Sequence, residues 1–226
     1  MQPPVITLDG PAGSGKSTTA REVARRLGYR HLDSGALYRA LTFALLSAEI
    51  PKEEWADLPK EALDRFRIWL RPNGPRFEVL LGERVLETEL RTAEVTALVS
   101  PLSALPAVRD WLLQAQREAG REGGLVADGR DMGTVVFPDA EVKIYLTADL
   151  RERAARRFLE REARQPSKAE LKLEAERIEA RDKRDSSRAH APLKRPSGAI
   201  EVDTSFLTFE DQVEVIIGHV KTLTKR

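Results

Sequence analysis

The chain has 226 residues, a net charge of +1, 41% hydrophobic and 32% charged residues, and no cysteine. Such a composition is typical of one substantial globular domain, and it excludes disulfides, thiolate metal sites and cysteine nucleophiles. The near-neutral charge argues against a dedicated nucleic-acid binder, and no apolar run is long enough to predict a membrane span. Because the N-terminal residues also lack the pattern of a signal peptide, we expect a cytoplasmic protein.

Short apolar runs with helical patterns between them predict an α/β fold. The predicted strands cover residues 5–8, 29–32, 125–128, 142–147 and 199–203. The predicted helices cover about 17–27, 36–48, 107–119, 150–164, 168–188 and 208–222. Strands that alternate with helices imply right-handed crossovers, so we expect a five-stranded, mostly parallel sheet with helices on both faces.

Residues 63–92 interrupt this alternation. Two alternating runs joined by RPNGP, followed by a glycine turn at Gly82, predict a small antiparallel hairpin or meander. Since this region lies between helices of the main domain, we interpret it as an insertion.

The segment GPAGSGKS, which begins at Gly10, fits the phosphate-binding pattern G-x-x-x-x-G-K-[ST] and lies between a predicted strand and a predicted helix. Its glycines let backbone N–H groups converge on phosphate oxygens, and the helix N-terminus adds a partial positive charge. Lys16 is expected to reach the β- and γ-phosphates, and Ser17 to bind Mg²⁺. The residues expected to bind ATP are Gly10, Pro11, Ala12, Gly13, Ser14, Gly15, Lys16, Ser17 and Thr18.

Other classes of nucleotide-binding protein fit less well. The dinucleotide pattern is incomplete after Gly15, and the guanine-reading N-K-x-D of switch GTPases is absent because the only asparagine is Asn73. An ATPase coupled to motion or to DNA would need more chain. These observations favour a kinase for a small acceptor, which needs a second pocket with positive charge.

Arginine-rich segments follow several predicted elements: DSGALYRA after the second strand, DGRDMG after the third, and ARDKRDSSRAHAPL on a late helix. Strand ends converge at one edge of such a sheet, and guanidinium groups bind phosphate bidentately. The spacing of Arg181, Asp185 and Arg188 predicts one shared helix face, with Asp185 accepting from a sugar hydroxyl. An ordinary surface salt bridge is the alternative for these charges.

The charged helix that starts near Asp149 is a predicted lid, with Arg153 and Arg157 as the candidates to close over the transferred phosphate. Pairing with neighbouring glutamates is the alternative. We interpret His31 as a packing residue rather than a catalyst. Asp9 and Asp128 are both candidates to support Mg²⁺ through water.

The segments DGPAGSGKST, LDSGALYRA, LVADGRDMGTVVFPDA and RDKRDSSRAHAPL resemble the bacterial cytidylate kinases along nearly the whole chain. The resemblance implies Mg²⁺-dependent transfer of the γ-phosphate of ATP to CMP or dCMP by a P-loop kinase. It also implies a single domain, 1–226, with a core (1–62 and 101–226), a monophosphate-binding insertion (about 63–100) and a helical lid (about 151–168).

The same resemblance implies roles for individual residues. Cytosine is assigned to Ser100, Arg109 and Asp131, and the sugar to Asp185. The remaining acceptor residues are Ser34 and Tyr38 in the pocket wall, and Arg39, Arg130, Arg181 and Arg188 on the phosphate. The expected catalytic set is Lys16, Arg130, Arg181, Arg188, Arg153 and Arg157. The residues alone do not indicate Ser100 or Arg109, because VSPLSALPAVRD is typical of a turn followed by a helix start.

Two alternatives stay open at this point. One is a kinase for another small acceptor, such as UMP, a different monophosphate or shikimate, and the other is a nucleotide-binding regulator without catalysis. We further expect a monomer with no nucleic-acid or membrane partner. The single asparagine and the abundant Arg and Glu predict a protein that works at high temperature.

Overall fold

The computed structural model describes residues 2–224 and contains one sheet of eight strands. The strands are β1 (Val5–Asp9), β2 (Arg30–Asp33), β3 (Ile68–Asn73), β4 (Arg76–Leu81), β5 (Arg84–Leu86), β6 (Leu125–Gly129), β7 (Val142–Thr147) and β8 (Ile200–Asp203). Their order is β3-β4-β2-β6-β1-β7-β8, with β5 paired to β4. The α/β class and the mostly parallel sheet are confirmed, but the predicted count of five strands is wrong.

The count is wrong because the region from 63 to 92 continues the main sheet. The predicted meander is present as the antiparallel pairs β3–β4 and β4–β5. Strand β4 then pairs in parallel with β2 through His31 and Arg76. A hairpin that adds its strands to an exposed sheet edge covers that edge, and alternation along the sequence does not reveal which edge it joins.

The helices are α1 (Lys16–Leu27), α2 (Ser34–Ser47), α3 (Lys60–Asp64), α4 (Ala93–Leu102), α5 (Pro106–Ala119), α6 (Leu150–Glu162), α7 (Lys168–Ser187) and α8 (Phe209–Thr224), with short 3-10 segments at 52–57 and 89–91 and a π-helical turn at Met132–Val136. Helices α3 and α4 were not predicted. Pro101 was taken as part of a turn, whereas α4 continues through it and ends at Leu102. Among residues 2–224, no helix has both the length and the apolar character needed to cross a membrane.

Apolar side chains pack on both faces of the sheet, as the predicted layers require. Along β6, Val126 packs with Ile6, Leu8 and residues of α1 and α8. Its neighbours Leu125 and Ala127 point to the other side and pack with residues of α5 and of the π-helical turn. Burial of each such side chain contributes about 1.5–3 kcal/mol to stability.

The strand register brings polar residues to one edge of the sheet. Asp33 lies opposite Asp128 in the β2–β6 pair, and Asp9 lies opposite Gly129 in the β1–β6 pair. The loops that follow these strands therefore emerge side by side, which is where ligands gather in open α/β sheets.

Candidate active site

The loop between β1 and α1 has the backbone of a phosphate cradle. Gly13 and Gly15 have φ angles of 76° and 84°, in the left-handed region that favours glycine. A Cβ at Gly10 would lie 2.1 Å from the carbonyl oxygen of Leu146. Helix α1 starts at Lys16 with no acidic residue in its first turn. The N–H groups of this turn are therefore suited to an anion.

The Lys16 ammonium is buried inside this loop, with 5% of the residue exposed. Nζ donates to the carbonyl oxygen of Pro11 at 2.5 Å and to Ser14 Oγ at 3.2 Å. Burial, and then the positive charge of Arg130, lower the pKa of Lys16 well below its usual value. A bound phosphate would reverse this shift, because an anion favours the protonated amine.

A hydrogen-bond chain joins the loop to two neighbouring strands. Ser17 Oγ donates to Asp128 Oδ2 at 2.5 Å, and His31 Nε2 lies 2.7 Å from Asp128 Oδ1. Burial by itself would raise the pKa of Asp128, but the hydrogen bonds from His31 and Ser17 and the charge of Lys16 hold it below its usual value. The pKa of the neighbouring Asp33 shifts in the opposite direction, because burial and the charge of Asp128 raise it.

The donor set at Ser17 fits a magnesium ion held mainly by phosphate and water. Among the described residues, no cluster of three or more His, Cys, Asp or Glu could hold a metal. Mg²⁺ usually takes only one or two protein ligands beside substrate phosphates and waters. The Ser17 hydroxyl directs its hydrogen to Asp128, which leaves its lone pairs for a cation. Asp9 instead accepts from the backbone N–H groups of Met132 and Gly133, both at 2.7 Å.

A cavity of about 370 Å³ opens between this loop and the ends of β2 and β6. It contains predicted residues from both halves of the site: Ala12, Gly13, Gly15, Lys16, Ser17, Thr18, Ser34, Tyr38, Arg39, Arg109, Arg130, Asp131, Arg157, Arg181, Asp185 and Arg188. The remaining predicted residues, Gly10, Pro11, Ser14, Ser100 and Arg153, lie outside its lining.

The far half of the cavity concentrates buried arginines. Arg130 Nε donates to Asp185 Oδ2 at 3.0 Å, and Arg181 Nε lies 3.9 Å from the same oxygen. Burial and the charge of Arg130 lower the pKa of Arg181 to about 9, and burial lowers that of Arg39 to about 10. The positive charges of these arginines therefore repel one another. An anion bound between them would offset this repulsion.

Two of these guanidinium groups carry donors that nothing satisfies. Arg181 Nε and Arg188 Nη2 are buried without a hydrogen-bond partner among the described residues. The nearest carboxylate oxygen to Arg188 Nη2 is Asp131 Oδ1, at 3.6 Å. Buried donors in native proteins are almost always paired, so leaving these two unpaired costs free energy.

Arg188 does not lie on the helix face predicted for it. Helix α7 ends at Ser187, and Arg188 has the extended angles φ −65° and ψ 142°. Its Nε donates to the carbonyl oxygen of Ala191 at 2.6 Å, while Leu193 N–H bonds to Asp185 O at 2.8 Å. The chain bends here, and the side chain reaches the cavity from the turn rather than from the helix.

The end of the cavity assigned to the base holds a buried pair. Arg109 Nη2 donates to Asp131 Oδ2, and the Arg109 guanidinium lies 5.4 Å from the centre of the Tyr38 ring. Burial raises the pKa of Tyr38 to about 12. Ser100 does not touch Asp131, since its hydroxyl bonds to Asp185 Oδ1 at 3.2 Å.

Arg153 and Arg157 occupy different environments although both lie on α6. Arg153 is buried, and its Nη1 bonds to the carbonyl oxygen of Ala12 at 2.9 Å and to Asp182, whose Oδ1 accepts from Ala12 N–H at 2.8 Å. Arg157 lines the cavity and pairs with Glu174 at 3.0 Å. Of the two predicted lid arginines, only Arg157 lines the cavity.

Sequence reasoning missed several residues of the site. Arg21 lines the cavity from α1, four residues after Ser17, and helical spacing could have indicated it. Arg91 also lines the cavity, 3.9 Å from Asp33, and no spacing points to it. His31 was assigned to packing, and its contact with Asp128 depends on strand order, which the sequence does not fix.

Comparison with known proteins places these features in one family. The cytidylate kinase family model matches residues 6–222. A cytidylate kinase of Pseudomonas fluorescens is 45% identical, over 97% of this chain and 96% of its own. A cytidylate kinase of Limosilactobacillus fermentum is 40% identical, over 98% and 97%. A solved structure of an uncharacterized protein from Eubacterium ventriosum shares the fold at a TM-score of 0.51 and 13% identity, over 98% and 99% of the two chains.

Proposed function

The chain belongs to the cytidylate kinase family, and from this premise we propose that its cavity is a two-substrate site in which the terminal phosphate of ATP passes to CMP or dCMP. The protein is a nucleoside monophosphate kinase, and the products are ADP with CDP or dCDP. The loop around Lys16 is the donor half of the site, and the arginine-rich half opposite receives the monophosphate.

The observation that carries the proposal is the group of arginines, Arg130, Arg181 and Arg188, that lines the same cavity as Lys16. A phosphate loop by itself serves motors, switches and kinases alike. A second anion pocket facing the loop is needed only if a second phosphate is bound. Bidentate guanidinium contacts suit this phosphate better than lysine would.

The reaction needs positioning and positive charge rather than a base. An oxygen of the acceptor phosphate forms a bond to the γ-phosphorus, while the bond from that phosphorus to the β,γ-bridging oxygen breaks and its electron pair leaves on ADP. The acceptor phosphate is already largely dianionic near pH 7, so no side chain must remove a proton. Arg130, Arg181 and Arg188 would hold the acceptor and neutralise charge that spreads over the transferred group.

Lys16 would contribute from the donor side. Its ammonium now donates within its own loop, to Pro11 and Ser14. ATP phosphates would draw it outward, because their negative charge would stabilise an ammonium whose burial is costly. Mg²⁺, held by Ser17 together with phosphate oxygens, would supply further neutralisation of the β- and γ-phosphates.

Asp131 and Arg109 support cytosine as the base. Cytosine presents an amine donor beside a ring nitrogen and a carbonyl acceptor. A carboxylate matches the amine, and a guanidinium matches the acceptors. Ser100, which bonds to Asp185, would act with that carboxylate near the sugar rather than at the base edge as the resemblance implied.

We also propose that the part of residues 63–100 beyond the β2–β4 pairing, and residues 154–168, move relative to the core when both substrates bind. Arg39 connects the core to the first of these segments, because its Nη1 donates to Leu90 O and to Thr96 Oγ1, both at 3.0 Å. Arg157 would connect the second. Closure of this kind excludes water from the transferred phosphate.

The proposal is tested by ADP release with CMP, dCMP, UMP, AMP and GMP compared side by side. We expect kcat/KM for CMP or dCMP to exceed that for AMP and GMP by at least about 100-fold, because a mismatched base leaves a buried pair unsatisfied. The Lys16→Ala variant controls for contaminating kinases and should be inactive. Preference for AMP or GMP would refute the cytidine assignment. CMP binding without turnover would favour a regulator.

A further inference from the structure

His31 is a buried polar residue that the proposed phosphoryl transfer does not use. It lies in β2, is 9% exposed, and contacts Asp128 Oδ1 through Nε2 at 2.7 Å. A carboxylate accepts hydrogen bonds through both of its oxygens, and a histidine ring can donate from Nε2. Nε2 is therefore the donor in this contact.

The second oxygen of Asp128 contacts the donor half of the site, at Ser17. Oδ2 accepts from Ser17 Oγ at 2.5 Å. The backbone oxygen of Asp128 accepts from Ser34 Oγ at 2.8 Å, so the residue is fixed at its main chain as well. His31 and Ser17 thus each form a hydrogen bond with one oxygen of the Asp128 carboxylate.

A carboxylate held at one oxygen only can rotate about its terminal torsion, which is broad. The donor from His31 removes that freedom. With Oδ2 held toward Ser17, the Ser17 hydroxyl must point its hydrogen at Asp128 and keep its lone pairs toward the cavity. A hydroxyl that binds a cation needs this orientation, since its hydrogen would otherwise face the metal.

The support of His31 itself is rigid. Its backbone N–H donates to the carbonyl oxygen of Pro75 at 2.9 Å, and it is the residue through which β2 pairs with β4 at Arg76. Strand β6 flanks it on the other side, with His31 opposite Val126. The main chain of His31 is therefore held by strands on both sides, and its ring by the contact with Asp128.

We propose that His31 is a positioning residue for magnesium at the donor half, acting through Asp128 on the Ser17 hydroxyl. This role rests on the proposed function, because it requires ATP and Mg²⁺ at the phosphate loop. This role predicts that replacing His31 weakens the binding of ATP with Mg²⁺ but not the binding of ATP without metal. A packing role alone would disturb ATP binding equally with and without metal.

The test is equilibrium binding of ATP by calorimetry, in Mg²⁺ and in EDTA, to the full-length protein and its His31→Leu and His31→Gln variants. Loss of a residue that orients a metal ligand typically weakens metal binding about 10- to 100-fold. We expect His31→Leu to weaken ATP binding at least about 10-fold in Mg²⁺ and less than about 2-fold in EDTA. His31→Gln, whose amide N–H can donate to Asp128, should restore binding in Mg²⁺ to within about 3-fold of the wild type.

Two controls accompany these variants. His219→Leu changes a histidine on α8, outside the cavity, and should leave both affinities unchanged. If His31→Leu does not fold, His31→Asn replaces it, because the shorter amide does not reach Asp128. CMP affinity should change less than about 2-fold in every variant.

Equal weakening in Mg²⁺ and EDTA would overturn the role of His31 and leave the proposed function intact. So would a His31→Gln variant no better than His31→Leu. If the wild type bound no ATP in either condition, the proposed function would fail and the role of His31 with it.

Discussion

The Arg188 side chain is 5% exposed, the residue lines the cavity, and its Nη2 has no hydrogen-bond partner among the described residues. Burying a guanidinium with an open donor costs free energy, and evolution usually avoids it. The cost is understandable if the donor is satisfied by substrate during the reaction. At the scale of single residues, buried guanidinium groups with unpaired donors are the strongest indication that the cavity binds an anion.

Replacing Arg188 with methionine should keep the volume and remove the donor. We expect Arg188→Met to lower kcat/KM for CMP at least about 100-fold, because a cation at the transferred phosphate contributes several kcal/mol to the transition state. ATP affinity should stay within about 2-fold. Initial-rate kinetics measure the first quantity and calorimetry the second.

The matched control is Arg195→Met, since Arg195 is about half exposed and pairs with Glu201 at 2.7 Å. It should retain activity within about 2-fold of the wild type. If Arg188→Met retained activity within about 5-fold, Arg188 would not contact the transferred phosphate.

Asp9 gives a prediction for the dependence of stability on pH. Burial raises its pKa to about 6 from a usual 3.8, despite the N–H groups of Gly133 and Met132. The folded state therefore holds this proton more tightly than the unfolded state. Stability from this source is complete below about pH 4 and is lost as pH rises through about 6.

We expect the free energy of unfolding of the wild type to fall relative to that of Asp9→Asn by about 2 kcal/mol between pH 4 and pH 7. Urea unfolding of both proteins at several pH values measures the difference. A constant difference, or one that grows with pH, would show that Asp9 is not held protonated by burial.

At the residue scale, the sequence indicated most of the cavity lining because strand ends converge. The P-loop and Arg130 follow from that rule, whereas Arg181 was indicated by its spacing from Asp185 on one helix. Ser100 and Arg109 did not follow from it, since their helices are not preceded by strands. The contact from His31 to Asp128 could not be predicted either, because it depends on β2 lying beside β6.

At the scale of elements, α6 and α7 both bond to Ala12 of the phosphate loop. Arg153 on α6 and Asp182 on α7 bond to each other and hold the C=O and N–H of Ala12. A Cβ on Gly13 would lie 2.9 Å from the backbone of Arg153, so the contact is tight. The part of α6 that can move therefore lies beyond Arg153.

Arg153 and Arg157 were both predicted as lid residues, but the structure predicts different effects when each is replaced. Arg153→Met should lower the free energy of unfolding by about 3 kcal/mol or more, since it leaves Asp182 without its cation. Arg157→Met should change it by less than about 1 kcal/mol, because Glu174 keeps Arg161 at 3.0 Å. Arg157→Met should instead lower kcat at least about 10-fold.

Guanidinium unfolding and steady-state kinetics distinguish the two variants, and each serves as the control of the other. A stable Arg153→Met protein with reduced kcat, together with a fully active Arg157→Met protein, would reverse the assignment.

Element boundaries were predictable where periodicity was long and where caps were present. Helix α7 starts at a capping box formed by Ser167 and Glu170, and its start at residue 168 was predicted correctly. The extent of the sheet was not predictable, because the sequence pattern of the β3–β4 hairpin is the same whether the hairpin stands alone or pairs with β2. Helix α4 was missed because Pro101 resembles a break.

At the scale of the whole molecule, ion pairs connect elements that are distant in sequence. Arg26 on α1 pairs with Glu22, Glu210 and Glu214, and so connects α1 to α8. Glu174, 2% exposed, lies within 3.0–3.6 Å of Arg157, Arg161 and Arg177. Networks of this kind gain value at high temperature, because the desolvation penalty of charges falls.

Together with a single asparagine and no cysteine, these networks lead us to expect a melting temperature above about 75 °C. Differential scanning calorimetry measures it. Lowering of the midpoint by Arg26→Met, relative to Arg25→Met on the same helix, would locate part of the effect in the network. A wild-type midpoint of about 45–65 °C, ordinary for mesophilic domains, would remove the hypothesis.

In the proposed site, one cavity holds a donor and a cytidine acceptor with their phosphates facing each other. A crystal structure with CMP and a non-hydrolysable ATP analogue tests it most directly. We expect the analogue's phosphates on the loop at Gly13–Thr18, the CMP phosphate among Arg39, Arg130, Arg181 and Arg188, and cytosine within hydrogen-bond distance of Asp131 and Arg109. CMP bound with its base away from Asp131, or outside the arginine pocket, would contradict the account.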